Sequence, residues 1–240
     1  MAKSAPARPD IILLPGFMCD DDLWSDILPG LADIGDCRFG DLSTSSDLEQ
    51  MARSLAASLT GPTIVIGFSM GGFAARKLTL LAPEFVQGLV LINTSARGDT
   101  DVRRERNRVA LAAQETRTYR GISRKALSRA LHPDIETDKA LIERLHAMSM
   151  RLGRQAFLNQ LAVRRMDERP TLGNITCPTL VVTGDQDRLR GIDEAEELRD
   201  GIPDATLAII PDCGHMTPVE KPEALLQLIR DWNRDIRTPA

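Results

Sequence analysis

The sequence predicts an α/β protein: a mostly parallel, doubly wound sheet of about six strands, interrupted by a helical insertion. Three observations carry this reading. Short β-branched or leucine-rich runs recur along the chain, each followed by a helical pattern, and that alternation calls for parallel strands with helices on both faces. The run over 63–66 passes through Gly67-Phe68-Ser69-Met70-Gly71 straight into a helical pattern over 72–81. Gly-x-Ser-x-Gly at a strand-to-helix switch is a nucleophile elbow, a turn that strains the serine backbone and lifts its Oγ above the sheet edge. From 97 to 172 the rhythm stops, and an arginine-rich, helix-patterned stretch replaces the strands. The expected organisation is a core of 1–96 and 173–240 carrying an insertion of 97–172.

The chain's totals bound its partners. At 240 residues it can bury one sizeable core. A net charge of −4 is too mild to argue for nucleic acid or an anionic membrane, and no apolar run approaches membrane-spanning length. Residues 1–10 lack the apolar core of a signal peptide and read as an unstructured Ala/Pro lead-in, so a cytoplasmic location is the default expectation. Cys19, Cys37, Cys177 and Cys213 have no Cys-x-x-Cys spacing, which argues against disulfides and zinc. Cys213 lies close to His215 but reads as a small packed thiol. Neither a P-loop nor a dinucleotide fingerprint occurs, so nucleotide chemistry has no support.

In order, the first strand is 10–14, an Ile-Ile-Leu-Leu run stopped by Pro15-Gly16. A helix through Leu23, Trp24, Ile27 and Leu28 is expected to end at Pro29-Gly30. A weak second strand over 37–42 precedes a helix over 46–59, with Met51, Leu55 and Leu59 on one face. After the elbow, 88–92 is a buried strand leading into Asn93-Thr94-Ser95-Ala96. The sheet resumes at 179–183, ending in Gly184-Asp185-Gln186-Asp187, and a helix over 194–199 leads to the last strand, 205–210. The loop Pro211-Asp212-Cys213-Gly214-His215-Met216 follows, and Pro222 opens a closing helix carried by Leu225, Leu226, Leu228, Ile229 and Trp232.

Sites in open parallel sheets form outside the carboxyl ends of the strands. Ser69, Asp187 and His215 each follow such an end. A hydroxyl needs a base to become a nucleophile at neutral pH, and the base needs an orienting anion. The order Ser, Asp, His along the chain is the one an elbow-type hydrolase requires. His132 and His146 fall within the insertion and are assigned surface or packing roles. Asp185 shares the turn with Asp187 but suits the turn itself by accepting from nearby amides, which favours Asp187 as the acid. The Met70 amide, at the new helix's N-terminus, can donate toward developing negative charge. A second donor is expected from the loop after the first strand, where Phe17 supplies the amide and its ring a pocket wall.

The chain resembles the α/β-hydrolase superfamily, in its small, cap-bearing serine esterase-like branch. The resemblance rests on Leu13-Leu14-Pro15-Gly16-Phe17, Gly67-Phe68-Ser69-Met70-Gly71-Gly72, Gly184-Asp185-Gln186-Asp187, and Gly214-His215-Met216 before Glu220-Lys221-Pro222. In the family's Gly-x-x-Asp turn the acid is the last residue, which matches Asp187. Pro15-Gly16 stands where the family usually carries His-Gly, and too few residues precede Ile11 for the usual opening hairpin, so the first strand is expected to be an interior one.

What the resemblance implies is a cofactor-free serine hydrolase acting on a small carboxylic ester, thioester or lactone. Met148 and Phe157 of the insertion are expected to line an apolar pocket. For an anionic substrate, Arg120, Arg151 or Arg154 would pair with its carboxylate. The same motifs also occur in lyases such as the menaquinone-pathway SHCHC synthases and in enzymes that cleave carbon–carbon bonds of ring-fission products. A third class, ligand receptors of this fold, keeps the triad without turnover.

Overall fold

The computed structural model describes residues 8–113 and 118–237; most of the expected lead-in lies outside these. Six strands form one sheet: β1 (Asp10–Leu14), β2 (Asp36–Phe39), β3 (Thr63–Phe68), β4 (Val86–Ile92), β5 (Thr179–Gly184) and β6 (Ala205–Ile210). Their order is β2-β1-β3-β4-β5-β6, and every neighbouring pair is parallel. β1 is therefore interior. The chain leaves it in one direction to β2 and then crosses back to β3, so the strand order switches between β1 and β3, where open α/β sheets place their sites.

Alternation along β1 divides the core. Ile11 and Leu13 pack on one face of the sheet with Trp24, Leu225, Ile229 and Trp232, while Ile12 and Leu14 pack on the other with Met51, Phe73, Leu78 and Leu198. Successive strand side chains point to opposite faces, and both faces here are covered by helices. That is why β3 and β5, buried at every position, read as unbroken apolar runs. β2 and β6 are the sheet's edges and are partly exposed, which accounts for the weak signal of β2.

The helices of the core are α1 (Leu28–Leu31), α2 (Leu48–Ala56) and α3 (Met70–Leu81). Around Trp24 the structure departs from the expected single helix. Asp21–Trp24 forms a 3-10 turn, capped by Asp20 accepting from the Asp22 amide, and α1 begins separately with Pro29 in its first turn. Proline has no N–H to lose there, so it opens the helix instead of stopping it.

Between β4 and β5 the described residues form helices and loops: α4 (Asp101–Ala113), α5 (Arg124–Ser128) and α6 (Lys139–Ala162) are the α-helices. α6 is broken at Gly153, whose φ of 77° and ψ of −175° no helix contains. The two ends of this segment are laced together. The Glu168 amide donates to Ala96, the Asp99 amide to Arg165, and the Arg165 amide to the Asp99 carboxylate. α7 (Ile192–Gly201), α8 (Thr217–Glu220) and α9 (Pro222–Arg237) complete the chain.

A buried ion pair sits at that neck. Arg76 of α3, 1 % exposed, donates to Glu168 Oε2 at 2.7 Å and to the Ser95 carbonyl at 2.8 Å. Lys77 approaches the other Glu168 oxygen at 3.0 Å. Removing one member of a buried pair strands its partner's charge. Glu168→Leu is expected to destabilise the fold by about 3–5 kcal/mol, read as a lower urea midpoint. Arg76→Met is expected to cost less, because Lys77 still compensates Glu168; equal or reversed costs would contradict this account.

Candidate active site

The elbow is built by backbone crowding. A Cβ on Gly67 would lie 2.6 Å from the Gly71 carbonyl oxygen, and one on Gly71 would lie 2.1 Å from that of Leu14. With both positions reduced to hydrogen, β3 turns directly into α3, and Ser69 takes φ 51° and ψ −109°, a region costly for any residue with a side chain. Three hydrogen bonds hold it there. Its amide donates to Ile92 at 2.9 Å, and its carbonyl accepts from Thr94 Oγ1 at 2.7 Å and from the Gly72 amide at 3.1 Å. Phe68 and Met70 on either side are buried, whereas Ser69 is partly accessible.

His215 arrives from the loop after β6. Its amide donates to the Ala130 carbonyl at 2.8 Å, and its ring lies against Phe68, centroid to centroid 5.2 Å. Nε2 is 3.0 Å from Ser69 Oγ and Nδ1 is 2.8 Å from Asp187 Oδ2. Asp187 is completely buried at the side chain. Its Oδ1 accepts from the Leu189 and Arg190 amides at 2.8 and 3.0 Å, and its Oδ2 from Asn93 Nδ2 at 2.9 Å as well as from His215. Burial alone would raise its pKa. The electrostatic attraction of the adjacent His215 ring and the hydrogen bonds from His215, Asn93 and the Leu189 amide outweigh it and hold the carboxyl below its usual range. An ionised carboxylate only accepts, so Nδ1 carries the imidazole proton and Nε2 is left to accept from the serine hydroxyl.

Asp185 does other work. Its Oδ1 accepts from the Cys213 amide at 3.2 Å, tying the β5 loop to the His215 loop. Cys213 itself is buried beside Thr217 Oγ1 at 3.2 Å, and burial pushes its thiol up to about 12, so it stays protonated and inert. All four cysteines are free. His132 and His146 lie between β4 and β5: His132 Nδ1 accepts from the Asp134 amide at 3.2 Å, and His146 Nδ1 donates to the Ile122 carbonyl at 2.9 Å.

Among the described residues, the Phe17 and Met70 amides donate to no group of the chain. Phe17 lies in the loop after β1, and Met70 opens α3 behind Ser69. The Phe17 ring packs on Phe157 at 5.8 Å, and Phe157 on Tyr119 at 5.3 Å, so three aromatic rings, two of them from the segment between β4 and β5, pack in a row. Met148 is placed differently from the expected pocket lining. It is 0 % exposed and packs with Trp24, Leu131, Leu145 and Met216, because it falls on the buried face of α6. Arg151 is committed within the chain: Nε and Nη2 grip the Asp20 carboxylate at 2.6 and 2.9 Å, and Nη2 also reaches Asp22 at 3.0 Å. Arg154 has an interaction within the chain as well, and Arg120 is exposed.

Two supporting residues went unassigned in the sequence. Asn93, directly after β4, has φ 47° and braces Asp187; an asparagine at a strand's carboxyl end, tolerant of that conformation, was the available signal. Glu220 accepts from the amides of Gly214 and His132 at 2.9 Å each and of Met216 at 2.8 Å. It thereby fixes the His215 loop and clips it to the segment between β4 and β5.

A six-stranded parallel sheet with a strained serine, an imidazole and a buried carboxylate at its strand ends defines the α/β hydrolase class. The chain belongs to the alpha/beta hydrolase fold family, whose sequence profile matches residues 14–222. It is 30% identical over 251 aligned positions, 93% of this chain and 98% of the relative, to the pimeloyl-[acyl-carrier protein] methyl ester esterase of Aromatoleum aromaticum. A 2-hydroxy-6-oxononadienedioate/2-hydroxy-6-oxononatrienedioate hydrolase of Dechloromonas aromatica is 27% identical, over 70% of this chain and 61% of its own. Among solved structures, a malate-bound thermophilic esterase from Thermogutta terrifontis superposes with a TM-score of 0.86 at 27% identity, covering 97% of this chain and 92% of that one. No helix among the described residues is long and apolar enough to cross a membrane.

Proposed function

We propose that the protein is a serine hydrolase that cleaves a small carboxylic ester, thioester or lactone through an acyl-enzyme on Ser69. The observation that carries this is the unbroken path from Asp187 through His215 to Ser69 Oγ, with links of 2.8 and 3.0 Å, beside two uncommitted amides. Ser69 Oγ attacks the carbonyl carbon while His215 Nε2 takes its proton. The new oxyanion is met by the Phe17 and Met70 amides, donors that cost no reorganisation because no described residue uses them. His215 then protonates the leaving group, the carbonyl re-forms, and the same imidazole draws a proton from the water that releases the acid. Residues 97–172 serve as the cap, and Phe17, Phe157 and Tyr119 present the apolar wall against which the substrate lies.

Relatives named as methyl ester esterases support an ester with a small alcohol. The Dechloromonas relative keeps carbon–carbon hydrolysis as the second reading, at lower coverage. A fluorophosphonate probe tests the chemistry: covalent labelling is expected at Ser69, located by peptide mass, and blocked by prior addition of a good substrate. Native protein that resists the probe and turns over no ester, thioester or lactone of a short-chain panel would remove the reading. Turnover of ring-fission dienes with no ester turnover would shift it to carbon–carbon cleavage.

A further inference from the structure

We propose that Gln160, on the second half of α6, is a positioning residue that sets the oxyanion donor of Phe17 and so ties catalysis to the placement of the insertion. The inference rests on the serine-hydrolase reading above. Gln160 is 3 % exposed. Its Oε1 accepts from the Met18 amide at 2.8 Å, and its Nε2 donates to the Leu42 carbonyl at 3.1 Å. Met18 follows β1 and Leu42 follows β2, so one side chain of the insertion bridges two loops of the core. Its neighbour Asn159 adds a bond from Nδ2 to the Ser43 carbonyl at 2.8 Å.

The residue it holds is strained. Met18 has a φ of 56°, a conformation costly for a residue with a side chain, which persists only where the surroundings over-determine it. Within the loop, the Cys19 amide donates to Gly16 at 3.2 Å and the Cys19 thiol to Phe17 at 3.7 Å. Two polar contacts reach this loop from the described residues of 97–172: the Arg151 grip on the Asp20 carboxylate, and the Met18 amide's bond to Gln160, which alone of the two engages the main chain. That bond fixes the peptide plane between Phe17 and Met18, next to the Phe17 amide that must face the oxyanion. A misplacement of ~1 Å at such a group can cost about 10²-fold.

The residue type matters too. A carboxamide offers the acceptor that Met18 needs and the donor that Leu42 needs in one planar group, whereas an ionised carboxylate lacks the donor. Because α6 breaks at Gly153, Gln160 and Phe157 ride on the same short helical segment. The substrate wall and the oxyanion pin therefore move as one piece, and displacement of that segment disarms the site.

The test uses Gln160→Leu and Gln160→Glu in the whole chain, with Ser69→Ala alongside. For Gln160→Leu, kcat on the best ester is expected to fall about 10²-fold with KM held within about threefold. Inhibition by butylboronic acid, whose tetrahedral serine adduct mimics the intermediate, is expected to weaken by a similar factor. Gln160→Glu carries the sharper signature. Ionised, its carboxylate faces the Leu42 carbonyl with no proton to give; protonated, it restores both bonds. Its kcat relative to the unmodified protein is therefore expected to climb as the pH is lowered from about 8 to about 5, burial having raised that carboxyl's pKa.

Melting curves at each pH exclude loss through unfolding, and should Gln160→Leu fail to fold, the pH ratio of Gln160→Glu decides alone. A flat ratio, or kcat unchanged in both variants, overturns the inference while an inactive Ser69→Ala leaves the hydrolase reading standing. An active Ser69→Ala brings down that reading instead.

Discussion

Ser69→Ala is expected to lower turnover of the best ester on the order of 10⁶-fold, while the protein stays folded. The size of the effect follows from the site's construction. His215 Nε2 is aimed at one oxygen, 3.0 Å away; without it the imidazole has only water to activate, and no acyl-enzyme forms. What survives is the contribution of the Phe17 and Met70 amides and of binding, roughly 10³–10⁴ over water in comparable triads. The strained backbone is not relieved, because alanine keeps the Cβ that makes φ 51° costly. Stability should therefore shift by no more than about 1 kcal/mol, the worth of one hydrogen bond. Steady-state kinetics on the ester panel, with melting curves as the folding control, measure both. Activity retained within about tenfold would mean that Ser69 is not the nucleophile and that His215 works on water directly.

The parts of this molecule that could be read from the sequence are those in which backbone geometry dictates residue type. Gly67 and Gly71 are required because a Cβ at either would strike main-chain oxygen, and the buried strands must be apolar on both faces. The turn alone favours Asp187 over Asp185; in the structure Asp187 meets His215 Nδ1, while Asp185 accepts from the Cys213 amide.

Long-range polar pairings left no local trace. Arg76 lies in a helix where an arginine ordinarily faces water, and its partner Glu168 is 92 residues away. Gln160 meets Met18 across 142 residues. Arg151 looked available for a substrate carboxylate because Asp20, 131 residues earlier, cannot be matched to it by periodicity. Propensity and pattern report on a residue's own element; which buried donor answers which acceptor is settled only when the elements meet.

Asp187→Asn is expected to lower kcat about 10⁴-fold while leaving the fold intact, and Asp185→Asn to cost far less. The hydrogen bonds around the carboxylate dictate how the replacement must sit. Oδ1 accepts two backbone amides, from Leu189 and Arg190, so the introduced carbonyl oxygen has to stay there. The introduced NH₂ then faces His215 Nδ1 and Asn93. Asn93 can adjust, because its buried Oδ1 has no partner among the described residues and a flip of its amide turns that oxygen toward the new donor. His215 cannot adjust without losing function. Nδ1 becomes an acceptor, the proton moves to Nε2, and the ring no longer accepts from Ser69. The wild-type carboxyl is held below its unfolded value of about 3.9. Its stabilisation is thus in place above that pH and lost as the pH falls through the lower folded value, so the variant's melting temperature should be less sensitive to acid below about pH 4. Kinetics and melting curves on both variants separate the roles: a collapse in Asp185→Asn with Asp187→Asn nearly unchanged would move the acid to Asp185 and break the chain of bonds on which the catalytic reading stands.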